Sequence, residues 1–170
     1  MGEVAFIGIG SNLGDRLNYL REGVEGVVSS AEVHLLAASS IFASEPLGTV
    51  EQPVYLNAVF SVITTLGPEA LLGHMRSIED AHRRQRAVHW GPRTLDLDLL
   101  LHGDQQIHND ELNLPHPFLL ERCFVLVPLC EIASEHRHPT TGRPLSEHLL
   151  ELECTTALEP FGEGSLSSAP

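Results

Sequence analysis

The chain has 170 residues, 42% of them hydrophobic, and a formal net charge of -13, which is enough material for one compact core and the size of a single domain. This acidic balance repels nucleic acid and anionic lipid at long range, so a broad basic binding surface is excluded and any polyanionic ligand must be met locally; ten histidines lessen the charge just below neutral pH without making a basic face. Lysine is absent and every cationic side chain is arginine, which rules out a phosphate loop of the GxxxxGK type.

In chain order, Val4 to Ile9 is an apolar run closed by Gly8 and Gly10 and reads as a buried strand. Ser11, Asn12 and Asp15 then offer capping side chains for a helix from about Asp15 to Ser29. His34 to Ala43 reads as a second strand, ending before the turn cluster Glu45-Pro46-Leu47-Gly48, and Tyr55 to Leu66 as a third that pairs with it around a long loop. Pro68 suits a first helical turn, and Leu71, Leu72, Met75 and Ile78 recur at helical spacing, which predicts a helix over Pro68 to Arg84. Thr94 to His102 is strand-like, with Gly103-Asp104 turning it into a short hairpin through Ile107, and a further helix is expected near Cys123 to Ala133. The order β, α, β, β, α, β predicts a ferredoxin-like α+β fold, an antiparallel sheet with helices on one face, plus C-terminal additions. A single domain over 1–154 is expected, with 155–170, rich in Gly, Ser, Pro and Glu, as a disordered tail.

Cys123, Cys130 and Cys154 form no CxxC pair and no zinc spacing, so they read as reduced thiols. Cys123 and Cys130 fall on one helix face as small buried hydrophobes. No basic segment leads into a long apolar one, and no stretch approaches the roughly 20 apolar residues of a membrane span, so a cytoplasmic protein is expected.

The sharpest chemical signal is Trp90-Gly-Pro-Arg93-Thr-Leu-Asp96-Leu-Asp98-Leu. On a strand, Leu95, Leu97 and Leu99 point to one face and Asp96 and Asp98 to the other, the two aspartates about 6.6 to 7 Å apart. Paired hard carboxylates suit Mg²⁺, as a pair of ions bridging phosphate oxygens, although a bare pair of this kind is also the pattern of an exposed strand with Leu inside and Asp outside. The context favours the first reading. Arg83, Arg84, Arg86 and Arg93 are four of the ten arginines and lie within eleven positions just before the acids. Beside a carboxylate pair they form an anion clamp, because guanidinium grips phosphate through paired hydrogen bonds. Taken as a solvated helix end, the same cations would complement the helix dipole. Acids for Mg²⁺ beside arginines for phosphate point to nucleoside triphosphate chemistry. Gly8-Ile-Gly10-Ser-Asn-Leu13 misses the third glycine of a dinucleotide fingerprint, so a tight turn into a capped helix is the expected role of its glycines.

Over roughly residues 3 to 150, the chain resembles the 6-hydroxymethyl-7,8-dihydropterin pyrophosphokinase family. The matching segments are Gly10-Ser-Asn-Leu13, Glu45-Pro-Leu-Gly48 leading to Gln52-Pro-Val-Tyr-Leu-Asn57, Trp90 through Asp98, and Leu114-Pro-His116 with Arg122-Cys-Phe124. The resemblance implies transfer of a diphosphate from ATP to the pterin alcohol, giving AMP and the pterin diphosphate, with Asp96 and Asp98 holding two Mg²⁺ ions. It gives Arg84 and Arg93 catalytic roles on phosphate, and puts Glu79, Arg86, Leu99, His116 and Arg122 with them on the ATP side. For the pterin it implies a ring held between Tyr55 and Phe124, with Asn12, Ser44, Pro46, Leu47, Asn57 and Trp90 around it. The implied partners are the two small-molecule substrates, with no nucleic acid and no membrane, and the expected state is a monomer. Two positions on the nucleotide side depart from the family pattern: His89, where relatives carry arginine, and Glu111, where a basic residue is expected. A nucleotidyltransferase or nuclease and a non-catalytic binding domain of the same shape are the competing readings. The missing basic groove counts against the first, and the second predicts that Asp96→Ala leaves ligand affinity intact.

Overall fold

The computed structural model describes residues 1–45, 53–84, 94–155, 157–162 and 166, with Arg84 described by its backbone. Strand β1 (Glu3–Ser11) leads into α1 (Arg16–Val27); β2 (Val33–Ala38) and β3 (Phe42–Ser44) precede β4 (Tyr55–Thr64), α2 (Pro68–Arg84) and β5 (Asp96–His102). The small strands β6 (Ile107–His108) and β7 (Asn113–Leu114) follow, then α3 (Cys123–Ala133), α4 (Leu145–Glu151) and β8 (Leu158–Pro160). The main sheet is antiparallel in the order β5-β1-β4-β3-β8, with β2 also pairing β4.

Alternation along the strands builds two cores. Ile7, Ile9, Phe60, Leu97 and Leu99 pack with Leu20 and Val24 of α1 and Leu71 and Met75 of α2 on one face. Phe6, Val59, Leu100 and Leu101 pack with Val125, Leu126 and Leu129 of α3 and Leu145 of α4 on the other. The expectation of helices on one face therefore holds for α1 and α2, while α3 and α4 cover the opposite face. A bulge between β1 and β5 makes this possible: Ile7 pairs Leu99 but Phe6 pairs Leu101, so Leu100 is the extra residue and two successive leucines of β5 enter the α3 core. Phe60, fully buried in β4, contributes about 1.5–3 kcal/mol through burial of its side chain.

Local signals set the helix ends. Asp15 caps α1, its Oδ1 accepting the Asn18 N–H at 3.2 Å, and α2 begins at Pro68, whose missing N–H costs nothing in a first turn.

Several expectations are corrected. The run from His34 to Ala43 is two strands, interrupted over 39–41, where the Ser39 hydroxyl accepts the Val59 N–H at 2.9 Å. Strand β6 pairs β7 and not β5. The segment expected to be a disordered tail instead supplies β8, whose Leu158, Glu159 and Pro160 pair Ser44, Ala43 and Phe42, and Leu166 is only 2% exposed in the first core. Proline is compatible with this position because β8 lies at the end of the sheet. Cys123 and Cys154 are not reduced thiols: they form a disulfide, their Cα atoms 5.7 Å apart. Packing of α4 on α3 brings together positions 31 residues apart in sequence.

Candidate active site

The antiparallel register lays out the floor of the site. On the sheet face turned toward α3, Asp98 stands opposite Gly8 and Gly8 opposite Val59; one step along, Asp96 stands opposite Gly10 and Gly10 opposite Asn57. Two glycines spaced by two residues in a strand place no side chain between the carboxylates of β5 and the polar residue of β4. A methyl group at Gly8 would lie 3.6 Å from Leu100 and 3.8 Å from the Asp98 Cβ, which is ordinary contact, but at Gly10 it would come within 3.0 Å of Asn57 Oδ1. These glycines do not turn the chain, as the sequence suggested; β1 runs through them to Ser11.

A cavity of about 510 Å³ opens over this floor. Ser44, Glu45, Tyr55 and Asn57 line one side, Asp96 and Asp98 the other, and His116, Phe118, Arg122 and Phe124 the edge contributed by the 116–124 segment. The Asn57 amide donates to the Ser44 hydroxyl at 2.7 Å, which fixes the amide's orientation and leaves its carbonyl free to face a ligand's donor. Two rings, Tyr55 at the start of β4 and Phe124 in the first turn of α3, provide flat apolar surface in the same cavity.

Among the described residues the charge in the lining is acidic: Glu45, Asp96 and Asp98 against one arginine, Arg122. Behind β5, Glu79 of α2 accepts the Leu97 N–H at 2.8 Å, tying down the backbone between the two aspartates. Burial raises the Glu79 carboxyl above its ordinary range; the Leu97 bond opposes that shift, and the nearby Asp96 and Asp98 charges add to it. Asp96 and Asp98 supply the hard oxygen donors that Mg²⁺ takes, and the glycine floor beside them leaves room for its remaining ligands. Among the described residues no group of three or more His, Cys, Asp or Glu forms a complete protein cage. The donor set fits an ion that keeps waters and takes phosphate oxygens.

At the opposite edge, the His116 N–H donates to the Leu100 carbonyl at 2.9 Å, and its Nδ1 accepts the Phe118 N–H at 3.2 Å. That second bond makes Nε2 the N–H donor of the neutral ring. Burial lowers the His116 pKa, Asp98 acts against that shift, and Arg122 reinforces it. The Arg122 guanidinium lies 4.5 Å from the Phe118 ring centroid and 5.8 Å from that of Phe124, so two aromatic faces hold it at the cavity edge.

The structure thus brings together Ser44, Tyr55, Asn57, Asp96, Asp98, His116, Arg122 and Phe124. Three other predicted residues lie elsewhere. Asn12 lines a neighbouring cavity of about 470 Å³ with Arg16, Val54 and Phe161. Glu79 acts on the strand from behind, and the Leu99 side chain, 4% exposed, packs in the α1–α2 core on the face away from Asp98. Pro46, Leu47, Arg86, His89, Trp90, Arg93 and the Arg84 side chain lie outside the described residues. Gly8, Gly10, Glu45 and Phe118 line the cavity without having been singled out as site residues. The i, i+2 glycine spacing inside an apolar run was the available signal for the first two, whereas Phe118 carries no signal in a lone sequence.

Residues 6–134 match the model of the family described as 7,8-dihydro-6-hydroxymethylpterin-pyrophosphokinase (HPPK). The chain is 42% identical over 142 residues to the 2-amino-4-hydroxy-6-hydroxymethyldihydropteridine pyrophosphokinase of Bacillus subtilis, covering 84% of this chain and 85% of that one. It is 43% identical over 131 residues to the protein of the same name from Haemophilus influenzae, covering 77% and 82%. In fold it is similar to wild-type Plasmodium falciparum HPPK-DHPS crystallised with SDX-DHP, with a TM-score of 0.71 at 12% identity. That match covers 89% of this chain but only 44% of the Plasmodium chain. The matched span runs from the strand that carries the glycine floor through the helix that carries Phe124. On this agreement of sequence, fold and cavity, the chain belongs to the 7,8-dihydro-6-hydroxymethylpterin-pyrophosphokinase family.

Proposed function

We infer that this chain transfers the diphosphate of ATP to 6-hydroxymethyl-7,8-dihydropterin, forming AMP and the pterin diphosphate in folate biosynthesis. The observation that carries this reading is the register Asp96–Gly10–Asn57, which sets a carboxylate and a pterin-reading amide on one uninterrupted floor. The pterin lies between Tyr55 and Phe124, and its polar edge meets Asn57, Ser44 and the backbone at Pro46 and Leu47, with Trp90 beside it; Asn12, in the neighbouring cavity, is left without a direct role. Stacking and a donor-acceptor amide match a flat heterocycle that carries both donors and acceptors.

The alcohol oxygen attacks the β-phosphorus; the bond from that phosphorus to the bridging oxygen of AMP breaks, and the hydroxyl proton is released. Asp96 and Asp98 would hold two Mg²⁺ ions, which when bound would supply charge neutralisation on the triphosphate and a lower pKa for the alcohol. Neutral His116 donates from Nε2 toward phosphate, and Arg122, held by its two rings, adds positive charge. Arg84 and Arg93 hold phosphate oxygens, with Arg86 in support, so that most of catalysis is positioning and electrostatics. Glu79 holds the β5 backbone that presents the carboxylates, and Leu99 contributes to the nucleotide side through its main chain. The nucleotide side lacks the usual cations at His89 and Glu111, which shifts more of the phosphate binding onto the remaining arginines.

The strand order β5-β1-β4-β3 with α1 and α2 on one face supports a ferredoxin-like core, and the single main sheet supports one domain over 1–154, extended by β8. The working state is a monomer in the cytoplasm. Among the described residues no helix is long and apolar enough to cross a membrane. The test is AMP formation from ATP and Mg²⁺ with and without the pterin alcohol. Pterin-dependent AMP is expected; AMP release that ignores the pterin, or pyrophosphate release in its place, overturns the reading.

A further inference from the structure

Cys123 opens α3 and stands between Arg122 and Phe124, both of which line the cavity. Its disulfide partner, Cys154, lies three residues past the end of α4. Four residues further on, Leu158 pairs Ser44, which lines the opposite side of the same cavity. The chain beyond is fastened at that edge, with the Phe161 N–H donating to the Ile41 carbonyl at 2.8 Å and Leu166 buried in the first core. One covalent bond therefore joins the helix turn that carries Phe124 to a residue four positions ahead of the strand that borders Ser44.

We propose that the Cys123–Cys154 bond is a redox-sensitive positioning element of the active site, holding the Phe124 and Ser44 sides of the cavity at a fixed separation when oxidised and releasing them when reduced. The inference rests on the pyrophosphokinase reading for its effect on turnover, but not for its effect on the fold.

Accessibility sets the direction of the chemistry. Cys123 is 8% exposed, whereas Cys154 is exposed. A dithiol reductant attacks the Cys154 sulfur as a thiolate; the Cys123 sulfur leaves with the electron pair and takes a proton. The second thiol of the reductant then displaces Cys154, so that two protein thiols and one reductant disulfide result. Cys130 does not intercept the exchange. It sits two helical turns from Cys123, about 10 Å along the axis, beyond the 4.4–6.8 Å Cα separation a disulfide spans. Burial also pushes its thiol up to about 11, leaving little thiolate at neutral pH. Disulfides in reducing compartments are usually transient and redox-sensing, which agrees with a cytoplasmic enzyme whose bond has one accessible sulfur.

The test compares the full-length enzyme oxidised in air, reduced with dithiothreitol, and reoxidised, alongside Cys154→Ser and Cys130→Ser. Thiol titration of the unfolded air-oxidised chain is expected to find one free thiol; three free thiols overturn the proposal. Reduction is expected to raise the pterin KM about fivefold or more and to speed amide hydrogen exchange at 158–161, with both changes reversed on reoxidation. Cys154→Ser is expected to behave as the reduced enzyme in either buffer, and Cys130→Ser to respond as wild type does. Equal KM and equal exchange in the two states overturn the proposal. If neither state forms AMP, the reading of the reaction fails instead, and exchange at 158–161 alone decides the positioning role: faster exchange on reduction supports it, and unchanged exchange overturns it.

Discussion

Replacing Gly10 with alanine tests the glycine floor at its tightest point. The new methyl would sit 3.0 Å from Asn57 Oδ1 and 3.6 Å from the Leu56 carbonyl, so the Asn57 amide must move by a few tenths of an ångström. That amide is held by its 2.7 Å bond to Ser44 and is assigned to the pterin edge. Misplacing it loses about one hydrogen bond's net worth, about 0.5–1.5 kcal/mol, which at 1.4 kcal/mol per decade is about a 2- to 12-fold rise in pterin KM. Alanine is better than glycine in a strand by about 0.5–1 kcal/mol, so the melting temperature should hold or rise even as binding weakens. Steady-state kinetics on Gly10→Ala, Asn57→Ala and the double variant separate the causes. If the methyl acts through Asn57, the double variant is no worse than Asn57→Ala alone. An unchanged pterin KM, or effects that simply add, would show that the methyl does not act through Asn57.

Phe118→Leu removes one of the two rings against the Arg122 guanidinium and is expected to raise the ATP KM by about 2- to 5-fold, a cation–π contact of about 0.5–1 kcal/mol, while leaving the pterin KM in place; equal changes in both would show a general disturbance of the edge. Burial, which comes first for both, lowers the pKa values of His136 and His138, with His148, whose ring centroid lies 5.9 Å from that of His138, and His136 reinforcing it for His138 and Asp104 opposing it for His136. Below the ordinary value of 6.5 the unfolded chain binds protons that the folded one refuses, so stability is full above that value and falls as the pH drops through it. Melting temperatures from pH 7.5 to 5 should show this slope and show less of it in His138→Gln, whose amide oxygen can accept the Thr140 and Thr141 N–H bonds now made to Nδ1; an equal slope in the variant would remove His138 from the account. For Glu79 the sign is reversed in pH: a raised carboxyl means that the folded state keeps its proton longer, and stability is lost as pH rises above the ordinary carboxylate range. Glu79→Gln keeps an acceptor for the Leu97 N–H without the charge and should flatten that loss in metal-free buffer; a melting curve with the wild-type pH dependence would contradict it.

Much of the frame was legible because it is written in local periodicity. The Leu71, Leu72, Met75 and Ile78 spacing gave α2 its full extent, and Leu95, Leu97 and Leu99 against Asp96 and Asp98 gave the two faces of β5. The site's composition followed from the same alternation, since an aspartate that faces away from a leucine core must face something polar. What was not legible depends on contacts between distant segments. Strand β8 is short, polar and proline-terminated and exists because β3 offers it an open edge. The disulfide depends on where α4 turns back, which no cysteine spacing reveals. Gly8 and Gly10 looked like a turn because glycine is the usual turn residue; only the pairing partners on both sides show a strand that must stay bare. Phe118 becomes informative only through the arginine it touches.

The proposed diphosphate transfer requires divalent cations gathered at Asp96 and Asp98. The most direct measurement is the single-turnover rate of AMP formation by Asp98→Asn, taken at saturating Mg²⁺, ATP and pterin alcohol alongside pterin affinity without metal. The expected result is a loss of about 100-fold or more in rate with pterin affinity unchanged, since the ions act mainly on the charged transition state. A variant that turns over at the wild-type rate would contradict the account.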